Sequence, residues 1–244
     1  MLAILSGSGL NTLPEFVIQR REVVRTPYGL PSAPIYFGHL GEWAVALLAR
    51  HGANHVWAPH EINYRANIWA LHHMGAQQII SVSAVASLVH ELQPGSLVVP
   101  HDLIDYTHNR AHTFFEGQSQ EVVHTDFSEP YDSALRQRII QLARDTHTAI
   151  HAQAVYACTQ GPRLATMAEA KRFAQDGGDL LGMTGMPEAI LAKELGMAYA
   201  HVCGIIGYAA NIQPIDDRPD FRRQHTHQAM AYISRLLSAL TPDS

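Results

Sequence analysis

Leu2-Ala3-Ile4-Leu5-Ser6 is an apolar run that stops on Gly7-Ser8-Gly9. Five residues with no charged interruption, closed by glycines, predict a buried strand that empties into a tight turn. Such strands belong to sheets covered by helices on both faces, and the rest of the chain repeats that alternation. Trp43–Ala49 reads as a second strand, halted at Arg50-His51-Gly52. Residues 61–74 carry Ile62, Ala66, Trp69 and Ala70 at helical spacing, with Gly75 as the stop. Residues 78–83 and 97–99 read as strands, 131–147 as an amphipathic helix and 154–159 as a strand. A helix over 166–176 and a strand over 180–183 follow. Residues 187–195 predict a helix with Pro187 in its first turn. A strand over 198–206 and a closing helix over 226–240 complete the pattern. Residues 101–128 read as a long polar loop, the kind that usually carries function or an interface. The fold class is therefore α/β: one domain over residues 1–244, built on a mixed central β-sheet flanked by helices.

Composition excludes several kinds of protein. A chain of 244 residues, 47% hydrophobic, can bury a core without disulfides or metals. Seventeen Lys and Arg against 22 Asp and Glu give a net charge of −5 with no like-charge run, which argues against nucleic acid or an anionic membrane as the partner. No apolar stretch approaches the ~18 residues of a spanning helix. The first residues lack the basic segment and cleavage box of a secretory signal. Cys158 and Cys203 form neither a disulfide framework nor a thiolate zinc set. A cytoplasmic setting is the expectation. The 16 histidines raise the question of a metal hydrolase. The pairs His51/His55, His108/His112 and His147/His151 are four apart, yet none has the HExxH arrangement, so no metal site is expected.

Four predicted strand ends offer groups that suit an anion: Ser8, Arg50-His51, Ser83 and Thr184. Gly7-Ser8-Gly9-Leu10 begins like a dinucleotide fingerprint, but Thr12 and Pro14 break it. Glycines let the backbone approach an anion, a guanidinium fork matches two phosphate oxygens, and a hydroxyl before a helix start can donate. A plain turn, a solvated arginine and an ordinary N-cap account for the same residues singly. Convergence at the ends of an open α/β sheet would unite them.

The motifs Arg50-His51-Gly52, Asn63-Tyr64-Arg65-Ala66-Asn67, residues 99–107, residues 156–163 and Gly182-Met183-Thr184-Gly185-Met186-Pro187-Glu188 resemble the trimeric purine nucleoside phosphorylase and methylthioadenosine phosphorylase family, in particular its bacterial S-methyl-5′-thioinosine branch. The resemblance runs from Leu2 to about Ile206 and implies phosphorolysis: phosphate attacks C1′ of a nucleoside and purine departs. It implies phosphate binding by Ser8, Arg50, His51, Ser83, Ala84 (through its backbone N–H) and Thr184, with Met183 against the ribose. Inorganic phosphate is a co-substrate and no cofactor is implied. Partners are a nucleoside or purine and phosphate, in a homotrimer or a dimer of trimers. Leu164 stands where many relatives have a base-stacking Phe. Gly207 stands where 6-oxopurine members carry Asn and 6-aminopurine members Asp, and Ala165 replaces the second polar purine contact. Tyr208, Ala209 and Asn211 complete the implied substrate-binding set, with Asn211 or Tyr208 as the group that could supply the missing contact. The resemblance therefore implies S-methyl-5′-thioinosine as substrate, with 6-oxopurine preference, in purine and methylthioadenosine salvage. The competing expectation is a phosphate-binding member with altered base specificity or little activity.

Overall fold

β1 (Leu2–Ser6) lies where its apolar run predicts, all five residues buried. It is flanked by β4 (Trp43–Ala49) and β5 (Gln78–Ser87), parallel to both. The structure is a computed structural model that describes residues 1–8, 13, 15–117, 122–212 and 219–240. Gly9, Leu10, Thr12 and Pro14 of the opening turn lie outside the described residues.

β5 is the strand on which the sheet divides. One side of it runs parallel to β11 (Ala198–Tyr208), and its far end, Ala86 and Ser87, pairs antiparallel with β10 (Leu180–Gly182). β10 continues through β9 (Val155–Cys158) to β7 (Asp102–Asp105). β11 continues through β6 (Leu97–Val98) to β8 (Ile150–His151). The opposite edge is a meander of β2 (Phe16–Glu22) and β3 (Ile35–Leu40) on β4. Among the described residues the sheet has 11 strands, parallel and antiparallel. The expected mixed α/β architecture is the one observed.

Five helices cover the sheet among the described residues: α1 (Tyr64–His73), α2 (Ser133–Asp145), α3 (Met167–Gln175), α4 (Gly185–Glu194) and α5 (Pro219–Ser238). Side-chain caps fix three of their starts. The oxygens of Asn63, Asp132 and Thr166 accept from backbone N–H groups in the first turns of α1, α2 and α3. At α3, Glu169 reaches back to close a capping box. One core joins Leu5, Phe37, Leu71 and Ile79 to α1 and α4; another joins Leu2, Ile4, Ile80 and Val82 to α2 and α5. No helix among the described residues is long and apolar enough to cross a membrane.

Several elements differ from expectation, each for a physical reason. β2 escapes sequence reading because only Phe16 is buried and Val17 to Arg21 are exposed, so no period-2 pattern survives on this edge strand. β7 sits at the start of the stretch read as a loop, its residues no more than half-buried. α5 begins seven residues before the expected 226, because its first turns carry charge where the apolar face later appears. In α4, Met186 and Pro187 have non-helical backbone angles, so regular helix starts after the proline.

Candidate active site

The strand ends converge. Ser8 after β1, His51 after β4, Ser83 and Ala84 in β5, and Met183 and Thr184 after β10 line one cavity of about 590 Å³. Its far side is apolar: Leu164 and Ala165 before α3, then Ile206 to Ala210 at the end of β11. The register of β11 against β5 slips between Ile205 and Gly207, and that bulge turns Ile206 into the cavity wall. The lining contains no carboxylate among the described residues.

Arg50 touches this cavity, but its fork is not free. The side chain is fully buried. Nε donates to Glu188 Oε2 at 2.9 Å and Nη2 to Glu188 Oε1 at 3.0 Å. Nη2 also reaches Leu5 O and Ser81 Oγ, and Nη1 donates to Val82 O at 2.6 Å. The bidentate carboxylate thus comes from the protein itself. The expectation that both prongs hold phosphate meets a fork already engaged within the protein: the Nε/Nη2 edge faces Glu188, and Nη1 donates to Val82 O. Burial disfavours both charges, but each partner outweighs it, so the Arg50 pKa is raised and the Glu188 pKa lowered. Ser81 Oγ and Tyr199 Oη donate to the same Glu188 oxygen at 2.6 and 2.8 Å.

His51 donates from Nδ1 to Trp57 O at 2.8 Å, which leaves Nε2 as the acceptor of the neutral ring. Burial, with Arg50 nearby, pushes its pKa down to about 4. His51 therefore offers a lone pair at neutral pH. The rings of His51 and His55 lie 4.2 Å apart, and Ser8 Oγ approaches His55 Nε2 at 3.4 Å. Thr184, the N-cap of α4, makes no side-chain capping bond, so its hydroxyl is not spent on the helix. The backbone N–H groups of Thr184 and Gly185 instead donate to the buried phenol of Tyr156, both at 3.3 Å.

Ser83 is bonded from behind. Its Oγ lies 2.6 Å from Nε2 of His201, a fully buried ring whose pKa burial pushes down to about 3. Cys158 and Cys203 flank this layer, both fully buried, their thiols pushed up to about 12 by loss of solvent. Arg110 braces the loops that frame the cavity, donating to the carbonyls of Gln160, Met183 and Met186 at 2.7, 2.9 and 2.6 Å.

At the apolar end, Gly207, Tyr208 and Ala209 line the cavity, whereas Asn211 does not. The Asn211 amide turns away and donates to Leu88 O at 2.9 Å, closing the turn after β11. What stands against Gly207 is Arg222 of α5. A Cβ added at Gly207 would lie 3.8 Å from Arg222 Cγ and 3.9 Å from its Nε. Sequence reading passed over Arg222, Arg110, Glu188 as a partner, and His201. The partners of Arg50 and Ser83 are 138 and 118 residues away, and no local pattern announces contacts of that span. Among the described residues no group of three or more His, Cys, Asp or Glu could hold a metal ion.

A mixed α/β sheet that gathers hydroxyls and histidines together with apolar residues around one cavity has the form of a small-molecule site. The chain belongs to the phosphorylase superfamily, whose sequence profile matches residues 1–241. It is 48% identical over 241 residues to a probable S-methyl-5′-thioinosine phosphorylase of Pseudomonas syringae, covering 97% of this chain and 98% of that protein. It is 44% identical over 216 residues to a 6-oxopurine nucleoside phosphorylase of Pyrococcus furiosus, covering 86% of this chain and 80% of that protein. Among solved structures, methylthioadenosine phosphorylase from Schistosoma mansoni in complex with tubercidin superposes with a TM-score of 0.91 at 30% identity, over 98% of this chain and 89% of that one.

Proposed function

We propose that this protein is a purine nucleoside phosphorylase of salvage that converts S-methyl-5′-thioinosine and phosphate to hypoxanthine and 5-methylthioribose 1-phosphate. The observation that carries the reading is the convergence of Ser8, His51, Ser83 and Thr184 on a cavity that is also lined by Leu164, Ala165, Ile206 and Gly207. A phosphate oxygen forms the new bond to C1′ while the C1′–N9 bond breaks, and its electron pair leaves with the purine, which then takes a proton. The sugar carries oxocarbenium character in between. Phosphate is itself the nucleophile, so the protein contributes positioning and electrostatics. Ser8, Ser83 and Thr184 supply hydroxyl donors, and the Ala84 backbone approaches the same region. The neutral His51 accepts a proton-bearing phosphate oxygen at Nε2. Arg50 adds positive potential and at most one N–H.

At the purine end, Arg222 is the charged group beside Gly207. A guanidinium donates and does not accept, which suits O6 and N7 of a 6-oxopurine and disfavours a 6-amino group. Gly207 and Ala165 favour a second reading, a phosphate-binding relative with altered base specificity. The test is a nucleoside panel, S-methyl-5′-thioinosine, inosine and S-methyl-5′-thioadenosine, with and without phosphate, in chelator, each followed by release of free base. Phosphate-dependent release of hypoxanthine without added metal, faster from the methylthio substrate, is expected. Phosphate binding with turnover of only 6-aminopurine nucleosides supports the second reading, and no phosphate-dependent release from any nucleoside overturns the first. A homotrimer, or a dimer of trimers, working in the cytoplasm completes the proposal.

A further inference from the structure

Ser83 is a cavity hydroxyl whose partner is a fully buried titratable ring. His201 and Cys203 lie on one face of β11, and their neighbours on β5 are Ser81 and Ser83. The ring of His201 bonds Ser83 Oγ through Nε2 at 2.6 Å. Its other nitrogen, Nδ1, is buried with no partner among the described residues. Burial holds the ring neutral, with a pKa near 3. A neutral imidazole has one N–H and one lone pair, so two arrangements compete. If Nδ1 carries the proton, a bare N–H is buried and Nε2 must accept from Ser83, consuming the serine proton. If Nε2 carries it, only a lone pair is left bare at Nδ1, and Ser83 Oγ accepts. Orphaned buried N–H groups are the rarer and costlier defect. The rings around His201 are Tyr131, Tyr156 and Tyr199, with centroids 6.3, 4.8 and 6.3 Å away. Burial raises the pKa of all three phenols, so they stay protonated. The charges that act on the ring are those of Glu188 and Arg50, which are paired with each other, and neither is bonded to Nδ1.

We propose that His201 is a positioning residue that sets the polarity of Ser83: its Nε2–H donates to Ser83 Oγ, so the serine proton is kept off the ring and turned to the cavity, where it donates to phosphate. The Cys203 thiol, 3.9 Å from Ser83 Oγ, is the other group within its reach. The opposite tautomer would present serine lone pairs to an anion and repel it. The inference rests on the reading of this end of the cavity as the phosphate site. It assigns a role to a residue that stands behind Ser83 and touches no substrate atom itself, and it gives a reason for a fully buried histidine in the interior of β11.

Two measurements test it. In ¹⁵N-labelled protein, His201 is the signal lost in His201→Gln. Its pyrrole-like nitrogen should be Nε2 and its pyridine-like nitrogen Nδ1, unchanged between pH 8 and 5. A protonated Nδ1 with a bare Nε2 overturns the proposal, whether or not the protein turns over any nucleoside. In steady-state kinetics, His201→Phe should raise the phosphate KM about 10- to 100-fold, the range for a hydrogen bond to a charged group, with the nucleoside KM unchanged. His201→Gln, whose amide can still donate, should recover part of it. In a Ser83→Ala background, His201→Phe should change the phosphate KM no further. An equal rise in that background means that the ring acts on packing alone and overturns the proposal. Failure of wild type to bind phosphate at all, with the tautomer as expected, would instead count against the proposed function.

Discussion

Glu188→Gln should strongly destabilise the fold although it exchanges a single heavy atom and hardly alters volume. The carboxylate accepts from Arg50 Nε, Arg50 Nη2, Ser81 Oγ and Tyr199 Oη. An amide keeps one acceptor oxygen and turns its own N–H groups against donors, and it leaves the Arg50 charge buried without a counter-charge. Breaking one side of a buried pair typically costs about 3–5 kcal/mol, a large part of a total stability of roughly 5–15 kcal/mol. With a urea slope of ~3 kcal/mol/M, the midpoint should drop by roughly 1–2 M. The assay is urea unfolding followed by both circular dichroism and tryptophan fluorescence. Arg50→Met combined with Glu188→Leu should be less harmful than either single change, because no charge is stranded. A Glu188→Gln loss below about 1 kcal/mol at unchanged slope, or a double variant as weak as the sum of the singles, would refute the reasoning. Arg50→Ala should likewise lose stability together with phosphate affinity, so its kinetics need correction for the folded fraction.

Four further outcomes are expected. His201, held near pKa 3 when folded, binds a proton readily once unfolded, so stability is full above the unfolded value of about 6.5 and falls as pH drops below it; His201 alone should cost about 2 kcal/mol at pH 5. His51, lowered to about 4, acts in the same direction. Urea midpoints at pH 7.5 and 5 should therefore diverge less in His201→Gln than in wild type, and equal divergence contradicts the account. A Cβ at Gly182 would collide with the Tyr156 hydroxyl and ring, so Gly182→Ala should lower Tm by about 5–10 °C, which thermal unfolding reads directly. Arg222→Met should reduce kcat/KM on S-methyl-5′-thioinosine and leave 6-amino substrates unaffected, whereas Gly207→Asn with Ala165→Glu should raise kcat/KM on inosine; both are checked by the ratio of 6-oxo to 6-amino turnover.

Much of the frame was legible because its signals are local. The uninterrupted run at Leu2–Ser6 and the helical spacing before Gly75 need no tertiary information, and β1 and α1 appear where those patterns put them. β2 was not legible, since an edge strand with one buried residue looks like polar linker. The same division holds at the site. Ser8 and Thr184 follow strands, a position that sequence can assign, whereas Ser83, read as a strand end, lies inside β5, which runs on to Ser87; the three line one cavity. The direction in which a side chain is consumed is a different kind of information. Arg50 was correctly placed by its strand end, yet its fork is used by a carboxylate 138 residues on. Asn211 looked like a spare amide and is taken by Leu88 O. Arg222 reaches the cavity from α5, whose docking on the sheet no segment of sequence reveals.

The two thiols have a practical consequence for anyone handling this protein. Cys158 on β9 and Cys203 on β11 are both shielded from solvent and held in the protonated form. An alkylating reagent reacts with thiolate and needs access, so the native state should be silent to it in the absence of reductant. Each modification event then records one opening of the sheet beside the cavity. The chain carries its own stopwatch for local unfolding, and slower labelling with phosphate or nucleoside bound would report ligand binding without any measurement of turnover.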